Sequence, residues 1–497
     1  MKIIIVGAGI AGLSAGIYAQ KAGYDTVIYE KNEVAGGNCS GWYRDGYAID
    51  NCLHWLTGTA EGTSQYRMWQ ELGVWKDAPK IVERDAFYTS ELNGQKITLW
   101  RDVHRARQEM LALSEADAAE IHAFFDSVNL VHNILTSGFT PYKMLRAFTE
   151  THMELSHARV LRAVDRYAKM NMRQWANRFH HPLLRQFILD FSVEEYESYW
   201  LIMAYSFFAY RNGDIIEGGS IELVRRLVQN YKEAGGRLFL HTPVSQVLID
   251  RTQKGGACAS GVLLCSGQKV DADYVLCACD IHYTYRTLLQ NQYTPRDLQK
   301  YYRGQKDFPV YSSFQAAYAV EGLLEEVDDT LAFSCEPFMV ATQSLARIKV
   351  KNYRNYGDYT APSGHTVIQC SFTQYAKDYE YWEKLYGSRQ QYEAEKEKIA
   401  AAVQNRILAR FPEYRGKIRL LDTWTPVSYA RRNHDYMGAY MRFITTPMTH
   451  YGFLSGKVPK LKHLYLANHW MTYPGGVPTA AYMGKRAIME IQKSLKF

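Results

Sequence analysis

An α/β fold built around a Rossmann-like βαβ unit is predicted by three observations. The run Ile3-Ile4-Ile5-Val6 is apolar and β-branched without polar alternation, as a parallel strand buried on both faces requires. It ends in Gly7-Ala8-Gly9-Ile10-Ala11-Gly12, after which Leu13 to Ala22 is helical in pattern and alanine-rich, stopping at Gly23. A second apolar run, Thr26 to Tyr29, leads into Glu30, 18 residues after Gly12. Strand, glycine turn, helix, strand and acidic residue in this order form a dinucleotide fingerprint.

Each element has a physical job. Gly7 permits the tight turn, Gly9 lets the backbone approach a pyrophosphate, and Gly12 lets helix pack on strand. The helix N-terminus then offers unpaired N–H groups and a positive dipole end that suit phosphate. Glu30, followed by Lys31, is placed to accept hydrogen bonds from a ribose. Gly36-Gly37-Asn38 comes next, and then Trp42 to Tyr47 reads as a hairpin turning at Asp45-Gly46.

From about 105 to 210 the pattern is mostly helical and poor in glycine. It closes on Tyr199 to Tyr210, twelve uncharged residues rich in aromatics, too short to span a bilayer and readable as a core helix or a cavity wall. An amphipathic helix, Ile221 to Ala234, follows Glu217-Gly218-Gly219-Ser220. Short strands are expected at Arg237 to Leu240, Val244 to Ile249, Gly261 to Cys265 and Tyr274 to Cys279. Between 300 and 455, strands (Tyr311 to Val320, Thr366 to Phe372) mix with a charged helix near Gln390 to Phe411. The chain returns to a buried strand, Leu464 to Ala467, a turn at Pro474-Gly475-Gly476-Val477-Pro478, and a final helix to about Lys493.

Composition narrows the function class. With 497 residues, 47% hydrophobic and 22% charged, the chain can bury a large core, which excludes disordered and disulfide-stapled scaffolds. The net charge of +7 is spread without a long basic run, the nearest being Arg101 to Arg107, so nucleic acid is not an expected partner. Eight cysteines include no CxxC pair, and no metal site is expected. Lys2 precedes only four aliphatic residues before glycine, unlike a secretory signal. The expected location is the cytoplasm, with peripheral contact at the inner face of the membrane left open. Aromatic residues reach 14%, including 38 Tyr, which fits either ordinary packing or the lining of a large apolar cavity.

Five blocks together carry a family resemblance: VGAGIAGLSAG, Glu30 with Gly36-Gly37, EGGSIELVRRLVQNYKEAGG, the D-A-D-Y-V-L strand, and LYLANHWMTYPGGVPTAAYMGKRA. In this order they resemble the phytoene desaturase branch of the FAD-dependent amine oxidase-like superfamily, which also holds carotenoid isomerases and retinol saturases. The resemblance implies a Rossmann-like (GR2-type) FAD-binding domain assembled from 1–75, 215–300 and 456–497. An α+β substrate-binding or cap domain, 76–214 and 301–455, would be inserted into it.

Carried over by position, Gly7, Gly9, Ile10, Ala11 and Gly12 would take the FAD pyrophosphate and Glu30 and Lys31 the ADP ribose region. Gly36, Gly37 and Asn38 would form the turn beside the diphosphate and flavin, and Val244 or Val247 would lie against the adenine. Gly475, Gly476 and Val477 would meet the flavin pyrimidine edge. Asn38 stands where many members have Arg or Lys. Asn468 and His469 stand where Gly-Asp is common, leaving Asn468 to hydrogen-bond the ribitol or phosphate. Residues 49 to 55 also diverge from the plant and bacterial desaturases.

The activity implied is addition or removal of hydrogen across a C=C bond of a long polyene, isoprenoid or lipid-like substrate. The alternatives are a redox-neutral double-bond isomerase needing reduced FAD, and a non-enzymatic lipid or prenyl carrier on the same fold. Amine or amino-acid oxidation is disfavoured, because no arginine is clearly placed for a substrate carboxylate. With a single dinucleotide fingerprint, the electron partner would be a quinone, a carrier protein, oxygen or transiently docked NAD(P)H. His54 and Tyr473 are the candidate proton-transfer residues, His54 on account of an ordinary pKa near neutrality. Trp55, Tyr199, Tyr205 and Phe208 are expected to line the substrate space.

Overall fold

The computed structural model describes residues 1–136, 165–252, 256–304, 308–444, 446–447, 454–471 and 475–495. Two sheets organise them. The first is a five-stranded parallel sheet in the order Arg237–Phe239, Asp25–Tyr29, Lys2–Val6, Tyr274–Cys277, Leu464–Leu466. Its central strand is apolar throughout because both faces are covered. Ile3 and Ile5 enter a core shared with helices Ile10–Lys21, Gly219–Glu233 and Gly476–Ser494, while Ile4 and Val6 enter one shared with the antiparallel layer Val244–Asp250, Cys258–Leu264 and Lys269–Asp271. Alternating side chains thus feed opposite cores from a single β-branched run.

The three helices pack closely through small residues. A Cβ on Gly484 would lie 2.4 Å from the Ala11 carbonyl, and one on Gly16 would lie 2.6 Å from the Tyr231 ring. This brings the N-termini of the first and last helices to the same end of the sheet.

The second sheet has seven strands, ordered Ile418–Trp424, Tyr311–Glu321, His365–Tyr375, Gln343–Asn352, Thr330–Val340, Ala86–Leu92, Gln95–Trp100. All its pairs are antiparallel except Thr330–Val340 with Ala86–Leu92. Helices Ala376–Tyr386 and Arg389–Arg410 cover one face through Trp382, Tyr392, Ile399, Val403 and Ile407. The other face looks inward. Helices Val103–Leu113, Ala118–Thr136, Pro182–Phe191 and Tyr199–Ala209 build an aromatic core against the Ala86–Trp100 hairpin.

The α/β class expected from the sequence is therefore the class observed. The strands at 86–100, 330–352 and 418–424 are additional to those expected, and part of the expected helical stretch, 137–164, lies outside the described residues.

Candidate functional site

One cavity of about 1380 Å³ runs from the C-terminal ends of the parallel strands to the inward face of the seven-stranded sheet. Its first part is made largely by main chain. Gly7 turns at φ +101°, and a Cβ on Gly12 would lie 2.0 Å from the Gly7 carbonyl oxygen, so the turn cannot form with any larger residue there. Gly9, by contrast, has nothing closer than the Gly36 carbonyl at 4.0 Å, and its open side is the cavity. Gly9 pairs with Gly36, whose N–H donates to the Ala8 carbonyl at 2.8 Å, so the second glycine pair closes over the first turn.

Two helix N-termini without side-chain caps meet this space. Helix Ile10–Lys21 begins after Gly9, and helix Gly476–Ser494 begins after Gly475 at φ +87°; Ile10, Ala11 and Val477 line the cavity. Uncapped first-turn N–H groups with a positive dipole end are fitted to anionic groups.

Glu30 is buried at the end of its strand. Its Oε2 accepts from Ala8 N at 2.8 Å and its Oε1 from Asn32 N at 2.9 Å, leaving acceptor capacity on both oxygens toward the cavity. Lys31 lines the same space, but its Nζ donates to the Arg431 carbonyl at 2.9 Å and burial holds its pKa below the ordinary lysine value.

Asn38 lies in the lining as well. Its Nδ2 donates to Asp435 at 2.7 Å and its Oδ1 accepts from Asn433 at 2.7 Å, so its amide ties down the 433–435 loop. Val244 lines the cavity, whereas Val247 is fully buried in the core between the parallel sheet and the antiparallel layer. Asn468 reaches the lining with its amide already committed: Nδ2 donates to the Cys279 carbonyl at 2.8 Å and Oδ1 accepts from Trp470 N at 2.8 Å. The amide retains one further N–H and one further lone pair for the expected contact with ribitol or phosphate.

Two carboxyls missed by sequence reasoning stand in this region. Asp280 is pushed up to about 7 by burial and Asp435 is also raised, first by burial and then by Asp280. Asp280 Oδ1 accepts from Tyr283 N, while its Oδ2 has no hydrogen-bond partner among the described residues. A buried carboxyl oxygen without a partner, beside two uncapped helix ends and glycines that leave room, fits a cofactor bearing hydroxyl and phosphate groups. Their partners come from sequence positions far apart, and no spacing rule links them.

The expected proton-transfer residues separate. Tyr473 lies outside the described residues. His54 presents its ring to the cavity, on a turn fixed by Asp50, whose Oδ1 accepts from Cys52 N and Leu53 N, each at 2.9 Å. Burial, then the nearby Lys351, Lys349 and Arg84, push His54 down to about 3. An imidazole with a pKa near neutrality is thereby corrected to one that stays neutral across the physiological range. Glu197 shows the opposite shift: burial raises it to about 8, so this cavity-lining carboxyl carries a proton at neutral pH.

Helix Tyr199–Ala209 is both a core helix and a cavity wall. Tyr199, Met203 and Phe207, spaced by one turn, line the cavity together with Trp200 and Ala204. Tyr205 and Phe208 point the other way. The Tyr205 hydroxyl donates to the Trp100 carbonyl at 2.7 Å, and Phe208 stacks on Phe87 at 5.0 Å, so these two are corrected from substrate lining to core. Trp55 and Phe87 do line the space, with ring centroids 5.7 Å apart.

Facing them is a charged wall. Strand Gln343–Asn352 turns Arg347, Lys349 and Lys351 toward the cavity, and Ile348 and Val350 toward the opposite core. The alternation R-I-K-V-K was available as a signal, but such a pattern ordinarily means a face in water.

The family model described as flavin containing amine oxidoreductase matches residues 10–491, nearly the whole chain. The chain belongs to that family. It is an FAD-dependent oxidoreductase by family, and the resemblance expected from the motifs is borne out. A 4,4'-diaponeurosporene oxygenase of Staphylococcus aureus (strain MW2) is 23% identical over 98% of this chain and 97% of that protein. The protein of the same name from Staphylococcus haemolyticus (strain JCSC1435) is 26% identical over 58% of this chain and 57% of its own length.

Among solved structures, an oxidoreductase from Methanosarcina mazei superposes with TM-score 0.59 at 16% identity, covering 99% of this chain and all of the other. Putrescine oxidase bound to putrescine gives 0.58 at 16% identity, covering 99% of both chains. Reduced UDP-galactopyranose mutase gives 0.55 at 12% identity, covering 99% of this chain and 95% of that one. At these identities the structural matches establish the fold alone.

Proposed function

We propose that this flavoprotein adds or removes hydrogen across a carbon–carbon double bond of an elongated, largely apolar substrate of the polyene or isoprenoid class. The observation that carries the reading is the continuity of the cavity. The same space touched by Gly9, Glu30 and Val477 extends along Trp55, Phe87, Leu189, Tyr199, Met203 and Phe207. Full-length similarity to proteins named 4,4'-diaponeurosporene oxygenase supports that substrate class.

Bound FAD supplies two-electron chemistry with a C–H or C=C carbon. The protein's own residues do the rest. Gly7, Gly9 and Gly12 with Ile10 and Ala11 hold the pyrophosphate, and Glu30 accepts from the ribose through the free side of its carboxylate. Gly36 and Gly37 shape the turn, Val244 lies against the adenine, and Gly475, Gly476 and Val477 present N–H groups to the flavin. The aromatic wall orients the chain and excludes water. Glu197 holds the proton available to the substrate, and neutral His54 accepts a hydrogen bond.

This assignment divides the chain into a cofactor body (1–75, 215–300, 456–497) and a substrate body (76–214, 301–455). The external electron partner would be a quinone, a carrier protein or docked NAD(P)H. No helix of the described residues is long and apolar enough to cross a membrane, so any collection of substrate from lipid would be peripheral.

Amine oxidation, which the family description invites, fits poorly. A wall bearing Arg84, Arg347, Lys349 and Lys351 repels an ammonium substrate. The test is product analysis by mass after incubating the holoprotein with polyenes, under oxidising and under reducing conditions. A change of two hydrogens per turnover supports the reading. An isomer of unchanged mass formed only with reduced flavin would favour the isomerase, and turnover of amines alone would refute both.

A further inference from the structure

We propose that the cationic face of strand Gln343–Asn352 receives an anionic group, carboxylate or phosphate, at one end of the substrate, so that the substrate is an elongated amphipath and not a pure hydrocarbon. The inference rests on the reading of this cavity as substrate space.

Arg347, Lys349 and Lys351 recur every second residue and share one face of the strand. In a half-exposed sheet that face would be in water. Here it lines a cavity, with Lys351 buried and Arg347 and Lys349 half-buried, and withdrawing an ammonium or guanidinium from water is costly unless an anion compensates. The compensation present is incomplete. Arg347 Nε meets Asp190 Oδ1 at 2.8 Å. Arg84 and Lys351 share one carboxylate, Asp329, at 3.1 and 3.3 Å. Lys349 Nζ donates to a neutral group, the Phe191 carbonyl, at 3.2 Å.

Four cations therefore face two carboxylates on this wall. Of the acids on the cavity rim, Glu194 is paired with Arg173 and Glu197 is protonated at neutral pH, while Glu195, which accepts from the Tyr375 hydroxyl at 3.3 Å, is exposed to water that screens it from the wall.

The neighbouring strand makes the site suitable for oxygen-rich anions. Gln369, Ser371 and Thr373 from His365–Tyr375 line the cavity beside the lysines and offer hydrogen-bonding groups without charge. The aromatic wall opposite leaves room for the apolar remainder. Such a site also separates substrates sharply, because a neutral end leaves the excess positive charge of the wall in place whereas an anionic end offsets part or all of it.

The experiment uses the holoprotein and three probes with one apolar chain: all-trans-retinoic acid, retinyl phosphate and all-trans-retinol. Binding is read by perturbation of the flavin absorbance. Retinoic acid or retinyl phosphate should bind at least about tenfold more tightly than retinol, the equivalent of one charge-assisted hydrogen bond. Which of the two binds tighter assigns the group as carboxylate or phosphate.

In Lys349→Met the preference for the acid should fall about tenfold, and Lys349→Arg should restore it. Comparison of the probes on the wild-type protein needs no variant to fold. Retinol binding as tightly as both anions would overturn the inference while leaving the apolar-substrate reading intact. Failure of all three probes to bind, alongside binding of an uncharged carotene, would also overturn it. Failure of every apolar probe, carotene included, would count against the reading of the cavity itself.

Discussion

The two ends of the cavity are built from different materials. At the cofactor end the shaping groups are mostly main chain: the Gly7 and Gly36 turns and the uncapped starts of helices Ile10–Lys21 and Gly476–Ser494, joined by Glu30, held by backbone N–H groups, and by Asp280 and Asp435. At the sheet end the shaping groups are side chains: the Arg347, Lys349 and Lys351 series against Trp55, Phe87 and Tyr199. Main-chain geometry is fixed by sterics and changes only when the fold does. Side-chain geometry can be rewritten one residue at a time. The same fold can therefore keep its flavin while its substrate changes.

The contrast can be broken most severely at Gly12. Gly12→Val places carbon against the Gly7 carbonyl, and the expected result is loss of both flavin and folded protein, read by flavin retention and thermal melting. Gly9→Val should differ. Its Cβ meets nothing within the fold, so the melting transition should persist while the flavin is lost.

The next effect is at the other end. Arg84→Met leaves buried Asp329 with Lys351 alone and should cost about 3–5 kcal/mol in denaturant unfolding. Lys349→Met, which replaces a half-buried cation whose Nζ donates to a neutral carbonyl, should be neutral or stabilising in the same measurement. Equal destabilisation by both would erase the distinction between a structural and a ligand-directed cation.

A pH profile gives a smaller effect. Glu197, raised from 4.5 to about 8, keeps its proton in the folded protein well above its ordinary range. Stability linked to it is complete below about 4.5 and is lost as pH rises through about 8. A step using that proton should slow over the upper part of the same window, and Glu197→Gln should flatten the limb. His54→Gln should leave the profile unchanged between pH 5 and 8, since His54 sits at about 3. The smallest effect is Tyr205→Phe, which removes one hydrogen bond to the Trp100 carbonyl and should cost about 1 kcal/mol without altering substrate binding.

What could be read from the sequence follows the same division. The fingerprint from Ile3 to Glu30 was legible because all its parts are neighbours in the chain and its glycines answer to backbone sterics. The seven-stranded sheet was only partly legible, since it joins strands from 86–100 to strands from 311–424. Its cavity-facing strand carries charges that mimic a solvent face. On helix Tyr199–Ala209 every position but Ser206 is aliphatic or aromatic, so no periodicity could tell Tyr199 and Met203, which line the cavity, from Tyr205 and Phe208, which do not. The depressed pKa of His54 was not legible because its first cause is burial and its second is a set of lysines about three hundred residues further along.

The central claim, that a flavin held by main chain acts on an elongated unsaturated substrate in the adjoining cavity, is tested most directly by an anaerobic half-reaction. Oxidised holoprotein is mixed with a polyene, and separately with putrescine, while the visible flavin band is followed; the reduced holoprotein is mixed likewise. The account predicts bleaching, or re-oxidation of the reduced flavin, by polyenes alone. Bleaching by putrescine with no response to any polyene in either redox state would contradict it.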